Sequence, residues 1–172
     1  HEQAAVAGLA NKINSLFVKK IFVTWPQTLK SFPSNKTEVV GNLTRSAIFK
    51  KQAKNPQIQN FLNRKGKLIF ITGGNQGSHF LNIQIFNLIK KLESFLIFHQ
   101  VGTANFGQDH THAKSIRNHN YFSIDYLGSD NIGAVLNRAD LVIARSGANT
   151  IWDLALLAKV AILVPLPFAA SG

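Results

Sequence analysis

The sequence predicts an α/β fold in which a Rossmann-like parallel β-sheet carries helices on both faces. From residue 67 onward, short continuous apolar runs alternate with segments of helical periodicity. Strands that are apolar throughout and are separated by single helices are typical of a parallel sheet covered on both sides. Two of the strand-to-helix junctions carry glycines and small polar residues, at the edge where such sheets bind ligands.

The elements of this alternating region follow one another at short intervals. Strands are predicted at residues 68–72, 95–99, 121–124, 141–144 and 160–164, and helices at residues 78–92, 132–137 and 148–157. The first of these helices has the clearest pattern, because Leu81, Ile85 and Leu88 recur on one face. A long polar loop is expected between the second and third strands.

The first third of the chain has a different organisation. Residues 4–20 show helical periodicity and predict one amphipathic helix. Its apolar stripe consists of Val6, Leu9, Ile13, Leu16 and Phe17. Short strands are predicted at residues 21–25 and 38–40, where apolar runs end at proline or glycine. Residues 46–67 are basic, mostly polar and interrupted by Pro56, so we expect them to form a connector.

Composition excludes several kinds of protein and site. The 172 residues contain no cysteine, which excludes disulfides and thiolate metal sites. The longest apolar runs fall far short of the roughly 20 residues that a membrane-spanning helix needs. His110 and His112 lack a third ligand at helical spacing, so we predict a polar loop there and no metal site.

The two ends of the sequence predict a piece of a longer protein. The chain starts at His1 without a basic segment followed by an apolar one, so we expect no signal peptide and a missing natural start. At the other end, Gly172 follows the last predicted strand before the helix that such a fold should supply next. We therefore expect the end to be missing as well.

The net charge of +11 is concentrated in the first 67 residues. These hold 12 Lys and Arg against 2 Asp and Glu, whereas residues 68–172 hold 7 against 6. Such an excess predicts an anionic partner, either lipid head groups or nucleic acid, with a solvated basic face as the alternative. No stacking aromatic motif or helix-turn-helix signature supports nucleic acid, so we predict no nucleic-acid partner.

The most informative segment is the first strand-to-helix junction, where an apolar strand runs into Gly73, Gly74 and Gly77. Glycine lets the backbone approach a ligand, and the first N–H groups of the following helix carry partial positive charge. The junction therefore predicts a phosphate site. Its spacing matches neither the dinucleotide fingerprint nor the phosphate loop that ends in Gly-Lys-Ser/Thr, so an ordinary turn is the alternative.

A second junction repeats the pattern of strand, small residues and helix across Ser146, Gly147 and Ala148. Because ligands of open parallel sheets bind at the carboxyl ends of the strands, both junctions are expected to converge on one diphosphate. About one turn beyond Asn149, Asp153 can accept hydrogen bonds from sugar hydroxyls. Interaction with the positive end of the helix is its alternative role.

Several motifs together resemble the MurG family of bacterial transferases. In chain order they are His1-Glu2-Gln3, Gly8-Leu9-Ala10-Asn11-Lys12, Val40-Gly41-Asn42 with Arg45, Gly73-Gly74-Asn75-Gln76-Gly77-Ser78, and Ala139-Asp140 with Arg145-Ser146-Gly147-Ala148-Asn149-Thr150. The resemblance covers essentially the whole chain. It implies a two-domain glycosyltransferase of the GT-B type, with residues 1–44 as the tail of the N-terminal acceptor domain. Residues 45–172 would be the C-terminal UDP-sugar-binding domain, truncated at its end.

The resemblance also implies an activity. Such enzymes transfer N-acetylglucosamine from UDP-N-acetylglucosamine to undecaprenyl-diphospho-N-acetylmuramoyl-pentapeptide in peptidoglycan synthesis, with inversion at the anomeric carbon. The acceptor would be bound through the missing N-terminal domain, and the protein would sit peripherally at the cytoplasmic face of the bacterial inner membrane, on its anionic leaflet. We expect the isolated chain to bind the donor weakly and to be inactive by itself.

Site residues follow from the same resemblance. The donor-binding residues that it implies are Arg45, Gly73, Gly74, Asn75, Gln76, Gly77, Gly128, Ser129, Ala148, Asn149, Thr150 and Asp153. The first junction would hold the diphosphate, Arg45 and the segment 128–129 the uracil side, and the second junction with Asp153 the ribose and phosphates. His1 is the candidate for a cleft-facing catalytic residue. No cofactor or metal ion is implied, because neutral amides and N–H dipoles can stabilise the charge on the leaving UDP.

Three positions depart from the family pattern. Ala4 replaces a usual asparagine, Asn75 a serine and Asp153 a glutamate, which leaves sugar selectivity open. Two alternative functions therefore remain open. One is another nucleotide-sugar enzyme of the same architecture, such as an epimerase, and the other is a basic, non-catalytic binding module.

Overall fold

The computed structural model describes residues 1–166, which form two compact units, His1–Thr44 and Arg45–Leu166. Within these residues no helix has the length and apolar character required to cross a membrane. Each unit has its own sheet and its own core.

The first unit contains one short helix and two strands. Helix α1 spans Leu9–Asn14, strand β1 spans Ile21–Val23, and strand β2 spans Thr37–Val39. The two strands pair in parallel, and two 3-10 segments lie between them in the sequence, at Pro26–Ser31 and Ser34–Lys36. A small core forms between them from Ala7, Ile21, Val23 and Phe32.

The prediction of one helix over residues 4–20 is wrong in its extent, because the helix has only six residues. The buried carboxylate of Glu2 accepts hydrogen bonds from the backbone N–H groups of Ala4 and Gly8, at 2.9 Å each, and this holds the preceding segment in a turn. The predicted apolar stripe does not pack within the unit. All five of its side chains are at least half exposed, and Phe17 is 83% exposed.

The second unit is a doubly wound domain. Its elements are α2 (Pro56–Leu62), β3 (Leu68–Thr72), α3 (His79–Leu88), β4 (Leu96–Gln100), α4 (Asp109–Ser115), β5 (Tyr121–Ile124), α5 (Ile132–Arg138), β6 (Leu141–Arg145), α6 (Ala148–Leu156) and β7 (Ala161–Val164). Single 3-10 turns lie at Ser46–Phe49, Ile89–Leu92 and Phe106–Gln108. The strands form one parallel sheet in the order β5-β4-β3-β6-β7, which confirms the predicted fold class.

The central strand β3 is buried along its whole length, as its continuous apolar sequence requires. Leu68 and Phe70 pack in a cluster with side chains of α2 and α5, while Ile69 and Ile71 pack in a second cluster with α3. Because side chains alternate along a strand, these clusters lie on opposite faces of the sheet. The carboxyl ends of the strands therefore project from a rigid, doubly covered layer.

Two helices form where the sequence predicted irregular chain. In the expected connector, α2 starts at Pro56, and the Asn55 side chain accepts from the backbone N–H groups of Gln57 and Ile58. Asparagine at the N-cap followed by proline at the first helical position is a helix start signal. The second unexpected helix is α4, which places His110 and His112 on a helix rather than in a polar loop.

Candidate functional site

A crevice lies at the carboxyl ends of β3 and β6, which are neighbours in the sheet and pair Thr72 with Ala144. It encloses about 470 Å³, part of it open to solvent. Its lining consists of Arg45, Phe70, Thr72, Gly74, Asn75, Gln100, Leu127, Ile132, Leu136, Val142, Thr150 and Asp153. Asn75 of the first glycine junction and Thr150 of the second thus face one space. This is the position at which doubly wound sheets bind their ligands.

The first junction is a tight turn between β3 and α3. The Thr72 hydroxyl accepts from the N–H of Gly74 at 3.0 Å, and the N–H of Gly77 donates to the carbonyl of Gly74 at 3.2 Å. Ser78 caps the helix through a long hydrogen bond to the N–H of Leu81, at 3.4 Å. A Cβ on Gly73 would lie 2.4 Å from the nitrogen of Ser78, so only glycine fits there.

The same junction is pressed against the chain that follows β4. Gly77 has a φ of +89°, and a Cβ on it would lie 2.2 Å from the carbonyl oxygen of Val101. Gly102 faces it with a φ of +105°, and its Cβ would lie 2.1 Å from the Cα of Gly77. The two backbones therefore touch directly, which requires glycine on both sides.

The second junction differs from the first at the start of its helix. Helix α6 begins at Ala148, and no side chain of the described residues caps it at Gly147. The first backbone N–H groups of a helix have no acceptor within the helix, and they carry the positive end of its dipole. This end of α6 therefore offers hydrogen-bond donors to an anion beside the crevice.

An ion pair closes one side of the crevice. The guanidinium of Arg45 donates to the carboxylate of Asp153 at 2.9 Å, although the two residues are 108 positions apart. Asp153 is only 6% exposed, whereas the Arg45 side chain is 52% exposed. One carboxylate oxygen of Asp153 is thus engaged by Arg45, and the pair presents both a cation and an acceptor to a ligand.

The structure places five of the twelve predicted donor-binding residues in the crevice lining. These are Arg45, Gly74, Asn75, Thr150 and Asp153. The other seven are neighbours of these residues or belong to the β5–α5 loop. Gly73 and Gly77 support the first junction, and the carbonyl of Gln76 accepts from the N–H of Ala104.

Of the remaining four, Ala148 and Asn149 are exposed in the first turn of α6. Ser129 is exposed in the β5–α5 loop, and the carbonyl of Gly128 accepts from the N–H groups of Asn131 and Ile132. These residues stay predictions as ligand contacts.

His1 lies in the first unit, where its ring nitrogen Nε2 is 3.1 Å from the carbonyl oxygen of Gly41 and 3.3 Å from the Thr24 hydroxyl. Its catalytic role stays a prediction. In the part of the chain that the structure describes, no three His, Cys, Asp or Glu side chains cluster as a metal site.

Two polar residues of the lining were missed from the sequence. Thr72 ends β3, and Gln100 ends β4; both are buried. A polar residue at the carboxyl end of an apolar strand was the available signal, since that edge of a parallel sheet holds the ligand. The apolar floor beneath them comes from Phe70, Leu127, Ile132, Leu136 and Val142.

A doubly wound parallel sheet with a crevice at two adjacent strand ends, lined by polar side chains over an apolar floor, defines a Rossmann-like ligand-binding domain. The chain belongs to glycosyltransferase family 28, because residues 68–172 match the glycosyltransferase family 28 C-terminal domain. The resemblance to the MurG family is confirmed by similarity along the whole chain.

Similar curated proteins carry one name, UDP-N-acetylglucosamine--N-acetylmuramyl-(pentapeptide) pyrophosphoryl-undecaprenol N-acetylglucosamine transferase. The protein of Clostridium perfringens (strain 13) is 34% identical over 173 residues, which cover 99% of this chain and 46% of the relative. The protein of Clostridium novyi (strain NT) is 36% identical over 177 residues, covering 99% and 47%. The chain thus spans about half the length of the curated relatives it matches.

Solved structures agree with this assignment. The crystal structure of Acinetobacter baumannii MurG superposes with a TM-score of 0.61 at 26% identity, over 97% of this chain and 45% of that one. The glycotransferase of kitacinnamycin matches with a TM-score of 0.55 at 15% identity, over 88% and 38%. The second likeness concerns the fold alone.

Proposed function

We propose that this chain is the donor-binding part of an inverting N-acetylglucosaminyltransferase of peptidoglycan synthesis. The complete enzyme would move N-acetylglucosamine from UDP-N-acetylglucosamine to undecaprenyl-diphospho-N-acetylmuramoyl-pentapeptide. The names of the relatives describe a transferase of this kind. The observation that carries the proposal is that Asn75 and Thr150, from two different junctions, line one crevice at neighbouring strand ends.

The crevice suits a nucleoside diphosphate in several respects. The turn at Gly74 and the first turn of α6 can supply backbone N–H groups to an anion, while Arg45 adds a positive charge. The carboxylate of Asp153 can accept a hydrogen bond from a ribose hydroxyl with the oxygen that Arg45 leaves unused. We expect binding without a cofactor or metal ion, because N–H dipoles can stabilise the charge that develops on UDP.

In this mechanism the acceptor hydroxyl attacks the anomeric carbon and displaces UDP in one step, with a general base removing the hydroxyl proton. The residues described here act on the leaving group. The base and the acceptor site belong to the other domain, so the 172-residue chain alone is expected to bind but not to transfer sugar.

Residues 1–44 would be the tail of the N-terminal acceptor domain. The unit has only two parallel strands, and parallel sheets occur almost only where both faces are covered. The exposed stripe from Val6 to Phe17 is the apolar face that a further layer of that domain would cover. The relatives, which are about twice as long, have chain to supply this layer.

The anionic inner leaflet is the second proposed partner, with the enzyme peripheral at the cytoplasmic face of the membrane. Lys12, Lys19 and Lys20 are all exposed on the first unit. Each lysine near an anionic bilayer contributes about 1 kcal/mol of attraction that salt weakens. We expect cosedimentation with phosphatidylglycerol vesicles at low salt, loss of binding at high salt, and no retention on duplex DNA.

Titration calorimetry of the 172-residue protein tests the donor proposal. We expect weak binding of UDP and UDP-N-acetylglucosamine, unchanged by EDTA, and weaker binding of UDP-glucose. Equal binding of both sugars would favour another nucleotide-sugar enzyme, and absence of UDP binding would contradict the donor site. Sugar transfer by this chain alone would contradict the division of labour between the domains.

A further inference from the structure

Gln100 is the one buried polar side chain that reaches the glycine turn from the neighbouring strand β4, among the residues that the structure describes. It is 4% exposed, lines the crevice, and donates from Nε2 to the carbonyl of Gly74 at 2.9 Å. Gln100 therefore acts on the backbone of the turn.

The segment that follows Gln100 donates hydrogen bonds to the next two carbonyl groups of the turn. The N–H of Thr103 donates to the carbonyl of Asn75 at 2.9 Å, and the N–H of Ala104 donates to that of Gln76 at 3.1 Å. In a planar trans peptide, the carbonyl of one residue and the N–H of the next point in opposite directions. The N–H groups of Asn75 and Gln76 are thereby turned away from this segment.

A buried relay fixes the segment that holds the turn. The Asn82 amide donates to the carbonyl of Val101 at 3.0 Å and to the carboxylate of Asp109 at 2.7 Å. Its oxygen lies 3.0 Å from Nε2 of His99, whose Nδ1 lies 2.9 Å from the Tyr121 hydroxyl. The hydrogen bonds to Asp109 and His99 fix the orientation of the Asn82 amide, and this amide in turn holds the carbonyl of Val101.

The donor and acceptor capacities of the side chains determine where the protons of this relay lie. The Asn82 oxygen only accepts, so Nε2 of His99 carries the hydrogen and Nδ1 accepts from the Tyr121 hydroxyl. Burial lowers the pKa of His99 to about 4, against a smaller opposing effect of Asp109, so the ring is neutral at pH 7. Burial also raises the pKa of the Tyr121 hydroxyl, which keeps its proton.

We propose that Gln100, supported by the Asn82–His99–Tyr121 relay, is a positioning residue that holds the glycine turn with its N–H groups directed at the donor diphosphate. The hydrogen bonds to the turn carbonyls replace the ordering that the ligand would otherwise impose, so the anion site is preformed. For its ligand this inference rests on the proposed donor function, whereas the placement of the turn is measurable without any ligand.

The first experiment measures amide hydrogen exchange of the turn without any ligand, in the variant Gln100→Met. This substitution keeps the volume of the side chain and removes its hydrogen-bond donor. We expect amide hydrogen exchange to become about tenfold faster at Gly77, Thr103 and Ala104, as the loss of one hydrogen bond predicts. Exchange at Ile71 in the core of β3 should stay unchanged. The matched control is Gln57→Met, at an exposed position in the first turn of α2. Unchanged exchange at all three amides would overturn the inference.

The second experiment separates positioning from general damage by comparing UDP with uridine. In Gln100→Met we expect the Kd for UDP to rise about tenfold while that for uridine, which lacks the diphosphate, stays the same. Tyr121→Phe, which removes only the relay hydroxyl, should shift UDP in the same direction by a smaller factor. Equal losses for both ligands, or none for UDP, would overturn the inference. If the wild-type protein binds no UDP while Gln100→Met still shows the faster exchange, the proposed function is refuted and the positioning role of Gln100 stands.

Discussion

The two strand-to-helix junctions of the second unit share one order of residue types, yet they are built differently. In the first, Gly73 and Gly77 are required because neighbouring backbone occupies the space of a Cβ. In the second, Gly147 has an ordinary φ of −70°, and a Cβ would meet nothing closer than the Thr150 hydroxyl at 3.8 Å. Gly73 and Gly77 thus serve packing in the first junction, and the feature that both junctions share is a set of backbone N–H groups at the start of a helix.

The largest expected effect is a loss of stability when a glycine of the first junction is replaced, compared with the same replacement in the second junction. Gly77→Ala introduces a Cβ 2.2 Å from the Val101 carbonyl at a φ of +89°, so overpacking and backbone strain should together lower the free energy of unfolding by about 4 kcal/mol. Gly147→Ala should change it by less than about 1 kcal/mol. Urea denaturation of both variants measures the difference, and equal losses would contradict the comparison.

The second prediction concerns pH and the relay behind the first junction. His99 is fully buried and neutral with a pKa of about 4, whereas it titrates near 6.5 when unfolded. Protonation therefore favours the unfolded state, and stability that is present above pH 6.5 is lost as the pH falls toward 4. The loss should amount to roughly 3 kcal/mol. Denaturation midpoints between pH 7.5 and 4 measure it.

The control for this prediction is His99→Gln, which removes the titrating group. It should be less stable than the wild type at pH 7.5 and should show a flatter decline of stability with acid. If both proteins decline in parallel, the buried histidine is not the source of the pH dependence.

The third prediction sharpens the second junction. Asp153→Asn removes the charge that Arg45 contacts and weakens the acceptor offered to a ribose, so UDP affinity should fall about tenfold. The free energy of unfolding should change by no more than about 1 kcal/mol, because Arg45 is half exposed and can be rehydrated. Calorimetry with UDP and urea denaturation separate the two effects, and a large stability loss with unchanged affinity would assign Asp153 to structure.

The smallest expected effect comes from giving the second junction a serine N-cap like Ser78 in the first. Gly147→Ser supplies a hydroxyl at the uncapped start of α6, which should stabilise the protein by a few tenths of a kcal/mol, roughly the difference between serine and glycine caps. The same hydroxyl competes for N–H groups that we assign to the diphosphate, so UDP affinity should fall. Higher stability together with unchanged UDP affinity would argue against α6 as a diphosphate contact.

The fold was predictable because its signal is local. The continuous apolar runs of β3 and β4 identify buried parallel strands, and the small residues that follow β3 and β6 identify the junctions. The start signal of α2 was also present as Asn55 followed by Pro56, but the basic composition of the segment concealed it. The extent of α1 was not predictable, since the Glu2 side chain, which lies outside the helical pattern, binds the backbone N–H groups of Ala4 and Gly8.

The site was predictable only in part, because its contacts join distant parts of the sequence. Arg45 and Asp153 form an ion pair across 108 positions, which neither local pattern contains. Gln100 became recognisable only when β4 paired with β3 and brought it to the carbonyl of Gly74. The alternation of residues along a strand predicts which face of the sheet a side chain lies on. Its contacts with other strands depend on the strand order, which the local pattern does not contain.

The most direct test of the central claim is an NMR titration of the 172-residue protein with UDP, followed at the backbone amides of both junctions. We predict that Asn75 and Gln76 shift together with Ala148 and Thr150 along one binding curve, and that uridine, lacking the diphosphate, shifts neither set to the same extent. Shifts confined to one junction, or two sets with different affinities, would contradict a single diphosphate held between them.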